Sequence, residues 1–157
     1  MIAVVMGVSG AGKTTIGQAL ARELGWRFID ADDYHPQANV AKMAAGEPLD
    51  DADRWPWLDR LNSILKSEAN AILACSALKE RYRKRLGEGI ERLEWVYLKG
   101  DLELIRSRLL DRRHRYMPAS LLESQFAALE PPPQAITIDV SADVASCVAA
   151  VAARLQR

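Results

Sequence analysis

The sequence predicts an α/β fold built on a parallel sheet, and three observations carry that expectation. Short apolar runs alternate with amphipathic segments along the whole chain. The best of these runs, Ile2–Met6 and Ala71–Cys75, are apolar throughout, as strands covered on both faces are. The first run leads straight into a glycine-rich turn and then a helical pattern, the opening of a strand–loop–helix unit.

The elements follow in order. Ile2–Met6 is a strand. Lys13–Leu24 repeats apolar residues at Ile16, Leu20 and Leu24, a helical spacing, and Gly25 stops it. Arg27–Asp30 is a second strand, and Pro36–Ala45 a short helix ended by Gly46. Leu49–Trp57 reads as a polar, turn-rich entry to a helix over Pro56–Ala69, which carries Leu58, Leu61, Ile64 and Leu65. Ala71–Cys75 is the third strand, and Leu78–Leu86 a very basic helix. Leu93–Leu98 is the fourth strand, with a helix over Leu102–Leu110. Arg112–Pro118 reads as a loop and Ala119–Leu129 as a helix, closed by the rigid Pro131-Pro132-Pro133. Ile136–Val140 is the fifth strand, and Ala142–Leu155 the closing amphipathic helix, with Ser141 as its N-cap.

Length and charge exclude several classes. At 157 residues the chain is expected to be one domain over 1–157 with a core that needs no disulfide staple. Lys plus Arg balances Asp plus Glu at 21 each, which argues against a globally basic nucleic-acid binder. No apolar run reaches the about 18 residues of a membrane span. Cys75 and Cys147 sit in apolar surroundings, so a reduced, cytoplasmic setting is expected. From Lys79 to Arg115 there are 12 Lys/Arg against 7 Asp/Glu, so a neutral chain holds a basic half suited to a small anionic ligand.

Gly7-Val8-Ser9-Gly10-Ala11-Gly12-Lys13-Thr14 matches G-x-x-x-x-G-K-[ST]. Its glycines let successive backbone N–H groups turn toward an anion, and the helix start adds its positive end. Gly7, Ser9, Gly10, Ala11, Gly12, Lys13, Thr14 and Thr15 are therefore the candidate nucleotide cradle. Lys13 can reach the β- and γ-phosphates, and the Thr14 hydroxyl can ligate Mg²⁺. The third strand ends in Cys75-Ser76 with no acid, so Asp30, ending the second, is the metal-side candidate.

Asp30-Ala31-Asp32-Asp33-Tyr34-His35-Pro36 places acids at the ligand-binding edge of such a sheet. Asp30 and Asp32 alternate by two and would share one side of an extended chain. One could hold the metal's water shell while Asp32 accepts a hydroxyl proton. The competing reading is a solvated acidic turn, with Asp33 capping the next helix. His35 reads equally as a substrate hydrogen-bond donor or a staple of its loop.

These stretches resemble the gluconokinases of the small P-loop sugar-acid kinase family. The matching blocks are MGVSGAGKTT (6–15), DADDYHPQANVAKMAAGEPLDDADRWPWL (30–58), ACSALKERYR (74–83), LKGDLELIRSRL (98–109) and MPASLLESQFAALEPP (117–132). The resemblance implies a P-loop NTPase fold: a five-stranded parallel sheet, a substrate-side helical region near 31–70 and a mobile lid near 111–119. It implies ATP-dependent phosphorylation of D-gluconate to 6-phospho-D-gluconate, with Mg²⁺. A kinase for another small hydroxy acid such as shikimate, or a non-catalytic nucleotide switch, stands as the alternative. No nucleic acid or membrane partner is implied, and a homodimer is left open. Related lids read Arg-x-Gly-His-aromatic, whereas this chain has Arg112-Arg113-His114-Arg115-Tyr116, with Arg115 in the His place and His114 in the Gly place.

The remaining candidates are cationic. Arg54 has the fork to grip a carboxylate, or forms a surface ion pair with Asp50, Asp51 or Asp53; the resemblance favours the substrate. Trp55 and Trp57 read as packing residues rather than sugar platforms. Lys79 follows the third strand and could reach the substrate carboxylate or the transferred phosphoryl group, and Arg83, one turn on, shares its face. By the resemblance, Arg108 stacks on adenine and Arg112 meets the phosphates. Gln125 and Phe126 read mainly as packing.

Overall fold

The computed structural model describes residues 1–111 and 121–156. The expected lid near 111–119, with Arg112, His114 and Arg115, therefore lies almost wholly outside the described residues. Five parallel strands run β1 (Ile2–Met6), β2 (Arg27–Asp30), β3 (Ala71–Ala74), β4 (Leu93–Lys99) and β5 (Ile136–Asp139), in the spatial order β2-β3-β1-β4-β5. β1 lies at the centre, Ile2 opposite Ala71 on one side and Leu93 on the other. Chain connections leave β1 toward β2 and β3, and later cross back to β4. Such a switch opens a crevice beyond the carboxyl ends of the central strands. The glycine-rich turn after Met6, the acidic segment after Asp30 and the Cys75-Ser76 turn all emerge there.

The apolar runs work because both sheet faces are covered. Ala3 and Val5 of β1 face a core with Ile16, Leu20, Val148 and Val151, supplied by α1 (Lys13–Leu24) and α7 (Val144–Leu155). Ile2, Val4 and Met6 face the other core, with Trp57, Leu58, Leu61 and Leu65 of α3 (Asp51–Lys66) and Leu86 of α4 (Glu80–Gly87). Successive β1 side chains thus point to opposite layers, which is the period of two of a strand. The remaining helices are α2 (Gln37–Ala44), α5 (Leu102–Asp111) and α6 (Leu122–Ala128).

Two starts differ from the sequence expectation. α3 begins at Asp51, upstream of Pro56. Asp50 accepts from the Asp53 N–H at 2.8 Å, and the Asp53 carboxylate accepts from the Asp50 N–H at 3.0 Å, a reciprocal cap that starts the helix early. Pro56 then sits inside α3, where it cannot donate to the Ala52 carbonyl. Both residues face solvent, so water can satisfy that carbonyl. For α7 the cap is Asp143, which accepts from Ser146 N–H at 2.7 Å, and not Ser141. The Ser141 N–H instead donates to the Asp139 carboxylate at 2.9 Å.

Candidate active site

The loop between β1 and α1 is shaped by glycines in positive-φ conformations, Gly10 at 84° and Gly12 at 99°. A Cβ on Gly10 would lie 2.9 Å from Leu109 Cγ, so α5 packs directly on the loop crest. Gly12 caps α1, whose first residues are Lys13 and Thr14. The Lys13 ammonium folds back over the loop and donates to the carbonyls of Gly7 and Val8, both at 3.0 Å. Burial pulls its pKa below the usual lysine range, and the carboxylates of Asp32 and Asp30 pull it back up. The two carboxylates therefore lie within electrostatic reach of Lys13.

The way the acids meet is not the extended alternation. Residues Ala31–Tyr34 form a 3-10 turn, capped by Asp30, whose carboxylate accepts from the Asp32 N–H at 3.0 Å. Local hydrogen bonding outcompetes the strand here, as it often does for Asp. Burial raises the Asp30 pKa, the Asp32 N–H opposes this, and the Asp32 and Asp33 charges add to the rise. Asp33 caps nothing: α2 starts after Pro36, with no side-chain cap. The turn is held from α3 by Trp57, 4% exposed, whose indole N–H donates to the Ala31 carbonyl at 2.7 Å.

His35 is stacked on Trp57, ring centroids 4.0 Å apart and planes 15° from parallel. Its side chain is only 3% exposed, and Nε2 faces the Asp32 carboxylate at 3.7 Å. The ring is packed into the wall behind the acidic turn. Arg54 has no carboxylate partner within 4 Å among the described residues. It donates to the Leu49 carbonyl at 2.5 Å and to the Tyr82 hydroxyl at 3.2 Å, and lies 5.0 Å above the Tyr82 ring. The neighbouring acids are engaged elsewhere, Asp51 by Arg81 and Asp53 by Lys42. Arg54 is close enough to His35 to oppose its protonation, which ties the two to one wall.

Arg83, expected on the same face as Lys79, lies deep in the fold. It is 4% exposed and donates to the carbonyls of Ala77 and Glu130, both at 2.8 Å, with Glu80 at 3.1 Å. Ala77 has a φ of 44°, uncommon for a residue with a side chain, and Arg83 fixes the carbonyl of that strained turn. Its fork is committed to holding the turn, so it positions Lys79, the residue that precedes α4, and does not itself reach for a ligand. Arg108 donates to the Val140 carbonyl at 2.5 Å, placing it beside the β5–α7 loop.

Gln125 is the residue that sequence reasoning missed. Its Oε1 accepts from the Ser9 N–H at 2.7 Å and its Nε2 donates to the Ser9 hydroxyl at 3.2 Å. A glutamine beside Phe126 in an apolar helix pattern looks like packing, and only the fold carries α6 to the phosphate loop. The carboxamide braces the loop's outer shoulder. Gln125→Ala is expected to raise KM for ATP by about three- to ten-fold, the scale of one or two neutral hydrogen bonds, with KM for the second substrate unchanged. Steady-state kinetics with each substrate varied in turn checks this.

Cradle, lysine and paired acids define a P-loop small-molecule kinase. A family model described as shikimate kinase matches residues 9–129. The probable gluconokinase of Xenopus tropicalis is 43% identical over 100% of this chain and 94% of its own length. The thermosensitive gluconokinase of Escherichia coli strain K12 is 44% identical over 91% of this chain and 81% of its own. The crystal structure of a gluconokinase from Sinorhizobium meliloti 1021 superposes with a TM-score of 0.91 at 40% identity, covering 99% of this chain and 91% of that one. This chain belongs to the gluconokinase family.

Proposed function

We propose that the site transfers the γ-phosphoryl group of ATP in line to the 6-hydroxyl of D-gluconate, with Asp32 as base. The enzyme is an ATP-dependent gluconokinase, a phosphotransferase with an alcohol acceptor. The observation that carries the mechanism is the single cluster of phosphate loop, Lys13, Asp30 and Asp32. The loop amides and Lys13 receive the phosphates and the charge that grows on the transferred group. Asp32, largely exposed at the crevice, orients the incoming hydroxyl and takes its proton. Arg54, with no carboxylate in direct ion-pair contact among the described residues, holds the gluconate carboxylate. Lys79 adds positive charge from the other side of the crevice, Arg108 borders the adenine, and Arg112 completes the phosphate contacts.

The donor set near Thr14 and Asp30 is all hard oxygen, the chemistry that Mg²⁺ prefers. No group of three or more acidic, His or Cys ligands gathers among the described residues, so water and phosphate oxygens would fill most of its shell. Bound there, Mg²⁺ neutralises phosphate charge. Thr14 would hold it directly and Asp30 through water. Among the described residues no helix is long and apolar enough to cross a membrane, and Cys75 and Cys147 are buried free thiols. We place the enzyme in the cytoplasm, with residues 31–70 as its substrate side.

Coupled ADP-release assays with gluconate, other sugar acids and shikimate test the assignment; gluconate-stimulated turnover is expected, and equal or better turnover with shikimate overturns it. Arg54→Lys sharpens the test. The ammonium keeps the charge but loses the two-pronged geometry. KM for gluconate should rise by about tenfold with KM for ATP unchanged. A change confined to ATP would move Arg54 to the nucleotide side.

A further inference from the structure

A buried amide and a buried imidazole meet behind the acidic turn. Asn39, on α2, is a buried polar residue, 3% exposed. Its Nδ2 lies 2.9 Å from the Asp53 carbonyl oxygen. A carbonyl only accepts, so the amide must present its NH₂ there and not its oxygen. The same Nδ2 lies 3.2 Å from His35 Nδ1. Its second hydrogen therefore points at Nδ1, which must carry a lone pair. A neutral imidazole then has its proton on Nε2, the nitrogen that faces Asp32 Oδ1 across 3.7 Å.

From this we infer that Asn39 and His35 form a positioning pair for Asp32: Asn39 fixes the imidazole tautomer, and His35 presents Nε2–H to the Asp32 carboxylate. This rests on Asp32 being the base. The opposite tautomer would set N–H against NH₂ and a lone pair against a carboxylate. The ring cannot turn away, because it is stacked on Trp57, itself anchored to the Ala31 carbonyl. The 3.7 Å gap exceeds a hydrogen bond, and a small carboxylate rotation with the hydroxyl bound closes it; catalytic contacts often tighten in that way. Burial, followed by the charge of Arg54, pushes the His35 pKa down to about 4, so the ring is neutral at pH 7. A neutral donor orients the carboxylate without the imidazolium charge that would drain its basicity. Asp53 reaches the pair only through its backbone carbonyl, its carboxylate being held by Lys42.

The chain has two histidines, His35 and His114. Long-range ¹H–¹⁵N correlation spectra of ¹⁵N-histidine-labelled full-length protein at pH 7 read the tautomer directly, with His35→Gln removing the His35 signals to assign them. The expected result is an unprotonated Nδ1 and a protonated Nε2. An Nδ1–H ring or an imidazolium overturns the pair, whatever Asp32 does. In kinetics, His35→Gln keeps an amide N–H close to the Nε2 position and should hold kcat within about threefold. His35→Leu has no donor and should lose about tenfold in kcat with KM for ATP unchanged. Equal losses in both variants would leave His35 a packing residue and overturn the proposal. If His35→Leu fails to fold, Asn39→Leu, with the spectrum as readout, should give mixed tautomers; an unchanged tautomer overturns the role of Asn39. An Nε2–H ring together with full activity in Asp32→Asn would remove the base assignment, and the positioning role with it.

Discussion

Lys13→Ala is expected to lower kcat by about 10²-fold or more while the protein keeps its melting curve. The ammonium is the cation of the phosphate loop, and the charge that develops on the transferred group loses it in this variant. Its bonds to the Gly7 and Val8 carbonyls hold the loop and not the core. The α1 residues that fill the core, Ile16 and Leu20, are untouched. Burial already disfavours the charged form, so removing it relieves a desolvation cost and offsets part of the lost hydrogen bonding. Rates measured beside a thermal melt decide the matter. A Lys13→Ala enzyme with near wild-type kcat and a normal melt would refute the assignment of the loop.

Asp32→Asn is expected to separate binding from chemistry. The amide is nearly isosteric and can still hydrogen-bond a hydroxyl, but it cannot take a proton. Gluconate and ATP should bind within a few-fold of normal, while kcat falls by about 10²–10⁴. Asp30→Asn should respond differently, because Asp30 is the metal-side acid and its loss should be partly restored by extra Mg²⁺. A Mg²⁺ titration of both variants makes the comparison. Rescue of Asp32→Asn and not Asp30→Asn would exchange the two roles, and an unchanged kcat in both would leave the turn a solvated one.

The phosphate loop was legible because it is local: eight consecutive residues between a strand and a helix set backbone direction, charge and helix end together. The paired acids were legible by position, yet the reason given for their pairing was wrong. Extended alternation ignores that an Asp side chain can bond the N–H two residues on, which turns Ala31–Tyr34 into a 3-10 turn. The start of α3 was misplaced because Pro56 reads as a first-turn proline, while the Asp50–Asp53 cap acts earlier.

What the sequence by itself determined is therefore what short-range periodicity and spacing encode. That covers five strands in alternation with helices, the cradle with Lys13 and Thr14, the acids at a strand end and, through its motif blocks, the family. The tertiary structure alone decided which side chains those elements bring together across long stretches of chain. Arg83 meets Ala77 and Glu130, and so holds a strained turn. Gln125 meets Ser9 across 116 residues and becomes a brace of the phosphate loop. Asn39, His35 and Trp57 converge behind Asp32 from two helices and a turn. A hydrogen bond depends on a few tenths of an ångström and on direction, and residue type at a distant position specifies neither. Those quantities are set only when the two faces of the sheet are packed and the elements are locked in register.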